Sequence, residues 1–359
     1  MTRDACAADG DKARRVAYGR RSSSRPAFIM SDSPSSLTDK VRPVALESGI
    51  IAATFLSATC VLVEETGSAT LMGTQTTRLD LHAGAVLSSA SDGRRLVTGG
   101  DDGRVVELDA SGAPRILAHH KGRWIDRVAL GADGFVAYSV GKTAYVLGPK
   151  GETRQLDVPS TVGGLAFAPK GLRLAIAHYG GVTLWFPNAT GVKPETLGWK
   201  GSHLGVLFSP DNRFVISTMQ EPTLHGWRLA DGGHMRMSGY PGRVKSFAFT
   251  SDGKWLASSG SGEVILWPFQ SKEGPMGKQP MMRAPSTTAR VSVVACHPLD
   301  PVLAAGFEDG MVLMVRLSDG AEILLRTPDG APVTAAGWSP DGGTLAFGTA
   351  MGGGGILAF

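Results

Sequence analysis

A short turn recurs along this chain at a nearly constant interval, and that recurrence limits the folds open to it more than any other feature. It reads Ser91-Asp92-Gly93, Ala132-Asp133-Gly134, Pro169-Lys170-Gly171, Pro210-Asp211-Asn212, Ser251-Asp252-Gly253, Pro298-Leu299-Asp300 and Pro340-Asp341-Gly342. Successive middle positions lie 41, 37, 41, 41, 47 and 42 residues apart. Asp, Asn, Gly and Pro are turn formers for separate physical reasons, so the turns alone could be coincidence. Their flanks exclude that. Three residues before the middle position stand Phe167, Phe208, Phe249 and Trp338, and four residues after it stand Leu96, Ala137, Leu174, Val215, Leu256, Leu303 and Leu345. Apolar residues at fixed offsets on both sides of a tight turn describe a hairpin whose strands present one face to a core.

A single hairpin cannot bury that face, whereas copies stacked around an axis can. An antiparallel blade of four strands fits a period of about 40 residues. The expected fold is therefore all-β, a β-propeller of four-stranded antiparallel blades. A degenerate copy without the Asp-Gly turn precedes the ladder, with strands at 49–56 and 59–64 around a shortened turn near Ala58. At the other end the last copy reaches only a third strand, at 354–359. The apolar segment 40–48 can supply the missing fourth strand, which would close the ring by joining the two ends and remove exposed edges. This count favours eight blades, with seven as the alternative.

The turn Ser209-Pro210-Asp211, the turn Ser339-Pro340-Asp341-Gly342, and the strand pattern at 244–249 followed by Trp255-Leu256-Ala257-Ser258 resemble the WD40 repeat family. The resemblance covers residues 44–359. Trp185, Trp227 and Trp267 match the family's closing Trp, but Phe186, Arg228 and Pro268 follow them where the family has Asp. The Gly-His signature is missing as well. Packing is therefore expected to replace much of the buried Asp, His, Ser or Thr, and Trp network that the resemblance implies.

Charge divides the chain at the same boundary. Residues 1–43 hold nine Lys or Arg and five Asp or Glu, which leaves 27 of each sign in residues 44–359. The first segment reads as a disordered basic arm, rich in Arg, Ser and Asp, with Met30 as a second plausible start. The electrically balanced remainder argues against nucleic acid as the partner. The most apolar run, 50–63, is too short to span a bilayer and reads as two buried strands, and no secretory h-region precedes it. Three cysteines, Cys6, Cys60 and Cys296, are too few for a disulfide framework, so a reducing cytoplasm is expected.

No reactive constellation is assembled in the sequence. Gly141 to Thr143 lacks the glycine and following helix of a phosphate loop, and neighbouring His119 and His120 would point oppositely on a strand. No metal and no cofactor are expected. The resemblance instead implies a partner-binding face made of the loops between blades and between second and third strands. The first loop set brings Arg123, Trp124, His203, Arg243 and Arg290, and the second His178, Tyr179, Gln220, Glu221, Glu308 and Asp309. Arg, Trp and Tyr are the types most often found as interface hot spots, so Arg123, Trp124, Tyr179, His203, Arg243 and Arg290 are the candidate partner-binding residues. The three arginines suit an acidic or phosphorylated segment; alternatively they pair with neighbouring carboxylates on a solvated rim. The longer loop between Phe269 and Ala289 carries Lys272, Lys278, Met281 and Met282, as a second place for contact or the start of a fourth strand.

The leading expectation is a non-catalytic protein-interaction scaffold that binds a protein or peptide, as a monomer or within a larger complex. The alternative is a propeller enzyme, such as a hydrolase or lactonase, or a small-molecule or metal-binding protein, with its site in the central channel.

Overall fold

The computed structural model describes residues 14–17 and 35–359. The disordered arm and the start at Met30 fall for the most part outside the described residues. Strands Ile50–Leu56, Thr59–Glu64, Ser68–Met72 and Thr76–Asp80 form one antiparallel sheet in sequence order. The same meander recurs from Val86–Ser91 to Arg115–His119, from Arg127–Leu130 to Thr153–Asp157, from Phe247–Phe249 to Met281–Arg283, and from Val291–Cys296 to Glu322–Arg326. Strands Val333–Trp338, Thr344–Thr349 and Gly353–Ala358 complete their sheet with Arg42–Ala45, which pairs antiparallel with Gly353–Ala358. This is the N-terminal strand expected on the last blade.

Counted as hydrogen-bonded sheets among the described residues, the blades number seven, not the eight favoured from the sequence. The reason lies in two long strands, Leu174–Trp185 and Glu195–Phe208. Leu174 to Ala177 pairs with Gly164–Phe167, and beyond a bulge at Tyr179 to Gly181 the same strand pairs with the start of Glu195–Phe208. That strand in turn continues to pair with Phe214–Met219. Two sequence copies therefore share one seven-stranded sheet, whose outer edge also carries Arg14–Ala17 in parallel beside His234–Ser238. Ser35–Ser36 lies parallel to Glu322–Arg326, and Arg42–Ala45 pairs with Gly353–Ala358.

The ladder explains why these hairpins form. Asp92 Oδ1 accepts bonds from the backbone N–H groups of Arg94 (3.0 Å) and Arg95 (2.9 Å), and Asp211 and Asp341 hold their turns in the same way. The residue after each Asp turns left-handed: φ is 82° at Gly93 and 62° at Asn212, where a residue without a β-carbon or with a short polar side chain is tolerated. All seven apolar residues four positions beyond the turn are buried, at most 1% exposed. Their side chains pack between consecutive copies. Val44, Ile50, Phe55 and Leu62 meet Ala335, Ala346 and Ile356, so the two ends of the described chain share a core cluster. Polar hooks accompany the packing. Thr334 Oγ1 donates to the Ile50 carbonyl, and Ser292 Oγ donates to that of Val333 at 2.6 Å.

Candidate interaction face

Both loop sets expected on one face are held together there by a bond that repeats around the molecule. The residue after a second strand donates its N–H to a carbonyl just before or at the start of the first strand. This joins Glu65 to Gly49, Asp101 to Ala85, Gln220 to Ser202, Glu308 to Arg290 and Ala350 to Pro332, at 2.8 to 3.0 Å. Beside it the innermost strand is bulged, between Ile50 and Ala52, Val86 and Ser88, His203 and Gly205, Val291 and Val293, and Val333 and Ala335. A bulge re-aims the side chains that follow it. It had no signal in the sequence, because the extra residue differs from copy to copy.

The candidate residues separate into three groups. Trp124 and Tyr179 are 63% and 64% exposed in neighbouring copies, Trp124 on a loop and Tyr179 at the bulge of the strand Leu174–Trp185, and Arg123 is exposed beside Trp124. The loops under them are firmly held. Asp126 Oδ2 accepts from the Gly141 N–H at 3.2 Å, Val162 N–H donates to the Gly141 carbonyl at 2.9 Å, and Ser160 Oγ accepts from the Tyr179 N–H at 2.8 Å. Arg243 and Arg290 form the second group and line one cavity of about 280 Å³ with Gln220, Lys245, Ser292 and Glu308. Arg243 Nη1 donates to Gln220 Oε1 at 3.0 Å, and Arg290 Nε donates to Glu308 Oε2 at 2.9 Å. Arg290 is thus the ion-paired arginine of the alternative reading, while Arg243 has a neutral partner.

His203 stands alone and leaves the surface set. It is 1% exposed, its Nε2 donates to the Trp199 carbonyl at 2.9 Å, and its Nδ1 accepts from Ser217 Oγ at 2.7 Å. A carbonyl can only accept, which fixes the proton on Nε2. Burial pushes its pKa below the ordinary value, consistent with a neutral ring. His178 is buried likewise, bonded to Thr183 Oγ1 at 2.9 Å. Histidine is polar enough to be read as a surface residue, and the serine or threonine that captures it stands on another strand or beyond the bulge of its own.

These histidines belong to buried networks that the missing signatures had argued against. His82 joins Asp102 at 3.0 Å and Thr98 at 2.8 Å. In a later copy Tyr240 takes the histidine's part: Trp267 Nε1 donates to its oxygen at 2.6 Å, and its hydroxyl meets Ser258 Oγ at 2.7 Å. The network therefore tolerates a change of residue type provided donors and acceptors still match.

The cavity at Arg243 and Arg290 opens into the central channel, since Lys245, Ser292 and Glu308 also line a larger cavity of about 650 Å³. Its walls are mostly Ala, Ser, Thr and Val of the innermost strands. Among the described residues no three His, Cys, Asp or Glu side chains are grouped to hold a metal ion, and no helix is long and apolar enough to cross a membrane. Burial pushes the thiols of Cys60 and Cys296 up to about 12, so neither is a thiolate at neutral pH. In the longer loop, Met281–Arg283 forms a fourth strand and leaves Met282 36% exposed.

Comparison with known proteins bears on both the repeat and the fold. The family model for the WD domain, G-beta repeat, matches residues 233–268, the segment that contains Tyr240, Ser258 and Trp267. The crystal structure of the computationally designed Ika8 protein is similar over 88% of this chain and 98% of that one, with a TM-score of 0.70 and 19% sequence identity. At that identity the likeness concerns the fold alone.

Proposed function

Since the chain is a WD40-repeat β-propeller, we propose that it works as a non-catalytic protein-interaction scaffold, whose partner docks on the face carrying Arg123, Trp124, Tyr179, Arg243 and Arg290. One observation carries this reading: Trp124, on a loop, and Tyr179, at the bulge of the strand Leu174–Trp185, are large aromatics more than 60% exposed on backbone that is otherwise pinned by hydrogen bonds. Exposed aromatics on a rigid support contribute contact area at little ordering cost, and they are frequent hot spots. Cytoplasmic residence belongs to the same proposal, supported by the scarcity of cysteine and the absence of disulfides among the described residues.

The test is affinity purification from native cells with mass spectrometry. It compares the wild type with a Trp124→Ala, Tyr179→Ala variant of unchanged melting temperature. A protein recovered with the wild type and lost with the variant is the expected result. A partner retained by the variant moves the contact elsewhere. Recovery of no protein with the wild type refutes the scaffold and favours the channel, whose volume of about 650 Å³ lies within the range of small-molecule sites.

A further inference from the structure

Arg243, Lys245 and Arg290 bring three cations to the side cavity, and Lys245 lines the channel as well, against a single lining carboxylate, Glu308. Two of the three are already engaged, Arg290 by Glu308 and Arg243 by the Gln220 amide. Lys245 is exposed and takes part in no salt bridge among the described residues. It lies two residues beyond Arg243 and two before the innermost strand Phe247–Phe249, and its backbone is fixed by a bond from its N–H to Ser259 Oγ at 3.1 Å. Its cation thus stands on a rigid support at the junction of the two cavities. The 650 Å³ beyond it is walled by small residues such as Ala52, Ala53, Ser89 and Ala336.

We propose that this junction receives an extended acidic segment of the protein partner, with a Glu or Asp carboxylate of that segment bound by Lys245 and the following residues lying in the channel. The proposal rests on the scaffold reading and names the chemistry of its partner. Three features of the cavity favour a carboxylate on a peptide. One uncommitted ammonium suits a single negative charge, whereas a phosphate dianion is best met by free, bidentate arginines, and both arginines here have partners. A chain of nucleotides would need aromatic platforms for its bases, and no aromatic residue lines either cavity. The combined space exceeds what one side chain fills and is of the size that holds a short stretch of chain.

Fluorescence anisotropy of the purified full chain tests this, with a labelled Glu-rich peptide against a Gly-Ser peptide of the same length. The Glu-rich peptide is expected to bind at least about tenfold more tightly, which corresponds to about 1.4 kcal/mol, and to weaken as salt is added. Lys245→Met should abolish that preference while leaving the melting temperature unchanged. Glu308→Gln, which releases Arg290, should strengthen binding. Equal affinity for the two peptides, or full affinity in a folded Lys245→Met protein, overturns the proposal. So does a phosphoserine peptide that binds where the Glu-rich one does not, or displacement of the Glu-rich peptide by a single-stranded oligonucleotide. A cellular partner lost on Trp124→Ala, Tyr179→Ala substitution, combined with no peptide binding, would leave the scaffold standing and remove only this acidic-segment site.

Discussion

Ser258 and Ser217 hold the same place in consecutive copies, each on a second strand and each opposite a third-strand residue two positions before a buried Trp. The copy with Ser258 places Ile265 opposite it and completes a chain of bonds from Trp267 through Tyr240 to Ser258 and on to the Ile265 carbonyl at 3.0 Å. The copy with Ser217 places His225 there instead. That ring is fully buried and stacks on Trp199 at 4.1 Å between centroids, while neither of its nitrogens has a hydrogen-bond partner. Its neighbour His203 takes the serine that a Tyr takes in the other copy. One blade thus satisfies every polar group around its Trp, and the other carries a polar ring where an aliphatic side chain fits. A buried donor or acceptor left unmatched costs about 1–3 kcal/mol, so repeats with one backbone differ in how much their cores stabilise them.

Breaking the satisfied blade gives the largest effect. Trp267 is 0% exposed, and Trp267→Ala is expected to lose about 3–5 kcal/mol through the cavity it leaves, measured by denaturant unfolding. An unchanged unfolding midpoint would remove Trp267 from the core. Trp227→Ala, at the matching strand position, separates packing from bonding: any excess loss at Trp267 measures the Tyr240 network. Tyr240→Phe isolates the polar part further. It leaves the Trp267 N–H without its acceptor and Ser258 without its donor, at nearly constant volume, and should cost about 1–3 kcal/mol. A loss below about 0.5 kcal/mol would mean that the network adds nothing to packing.

How far the sequence reveals all this depends on whether the signal is local. The hairpins are legible because turn chemistry and an apolar residue lie within four positions of each other, and all seven such residues, from Leu96 to Leu345, are buried as the pattern requires. The pairing of Arg42–Ala45 with Gly353–Ala358 is legible by a counting argument, since the last copy was one strand short. The sheet count is not legible, because nothing local distinguishes a turn from the continuous pairing that joins Leu174–Trp185 to Glu195–Phe208. Of the site, exposed Trp124 could be read from loop position alone, whereas Tyr179, expected on a loop, owes its exposure to a bulge within the strand Leu174–Trp185. His203 could not, as its burial depends on Ser217 and Trp199. Lys245 escaped notice because its position beside two adjoining cavities is set by residues distant in sequence. Tyr240 escaped because a search for Gly-His looks for a residue type, while the core requires only a donor and an acceptor at the right height.

Replacing the odd ring by its counterpart makes the sharpest and smallest test. Burial, reinforced by repulsion from His234, His203 and Arg236, lowers the pKa of His225 from 6.5 to about 2. Above 6.5 the ring is neutral in both folded and unfolded chains, and it contributes no pH dependence. Below 6.5 the unfolded chain takes up a proton that the folded chain refuses, so stability falls as the pH drops toward the folded value, by about 1.4 kcal/mol per pH unit. His225→Ile, which installs the residue found opposite Ser258, should remove that part of the slope between pH 6.5 and 5. At pH 7.5 it should also raise stability by about 1 kcal/mol, because two unmatched ring nitrogens disappear. Unfolding curves of both proteins at the two ends of this range decide the matter. Parallel losses with falling pH would show that His225 is hydrated or bonded in solution, and the two blades would then differ in residue type without differing in satisfaction.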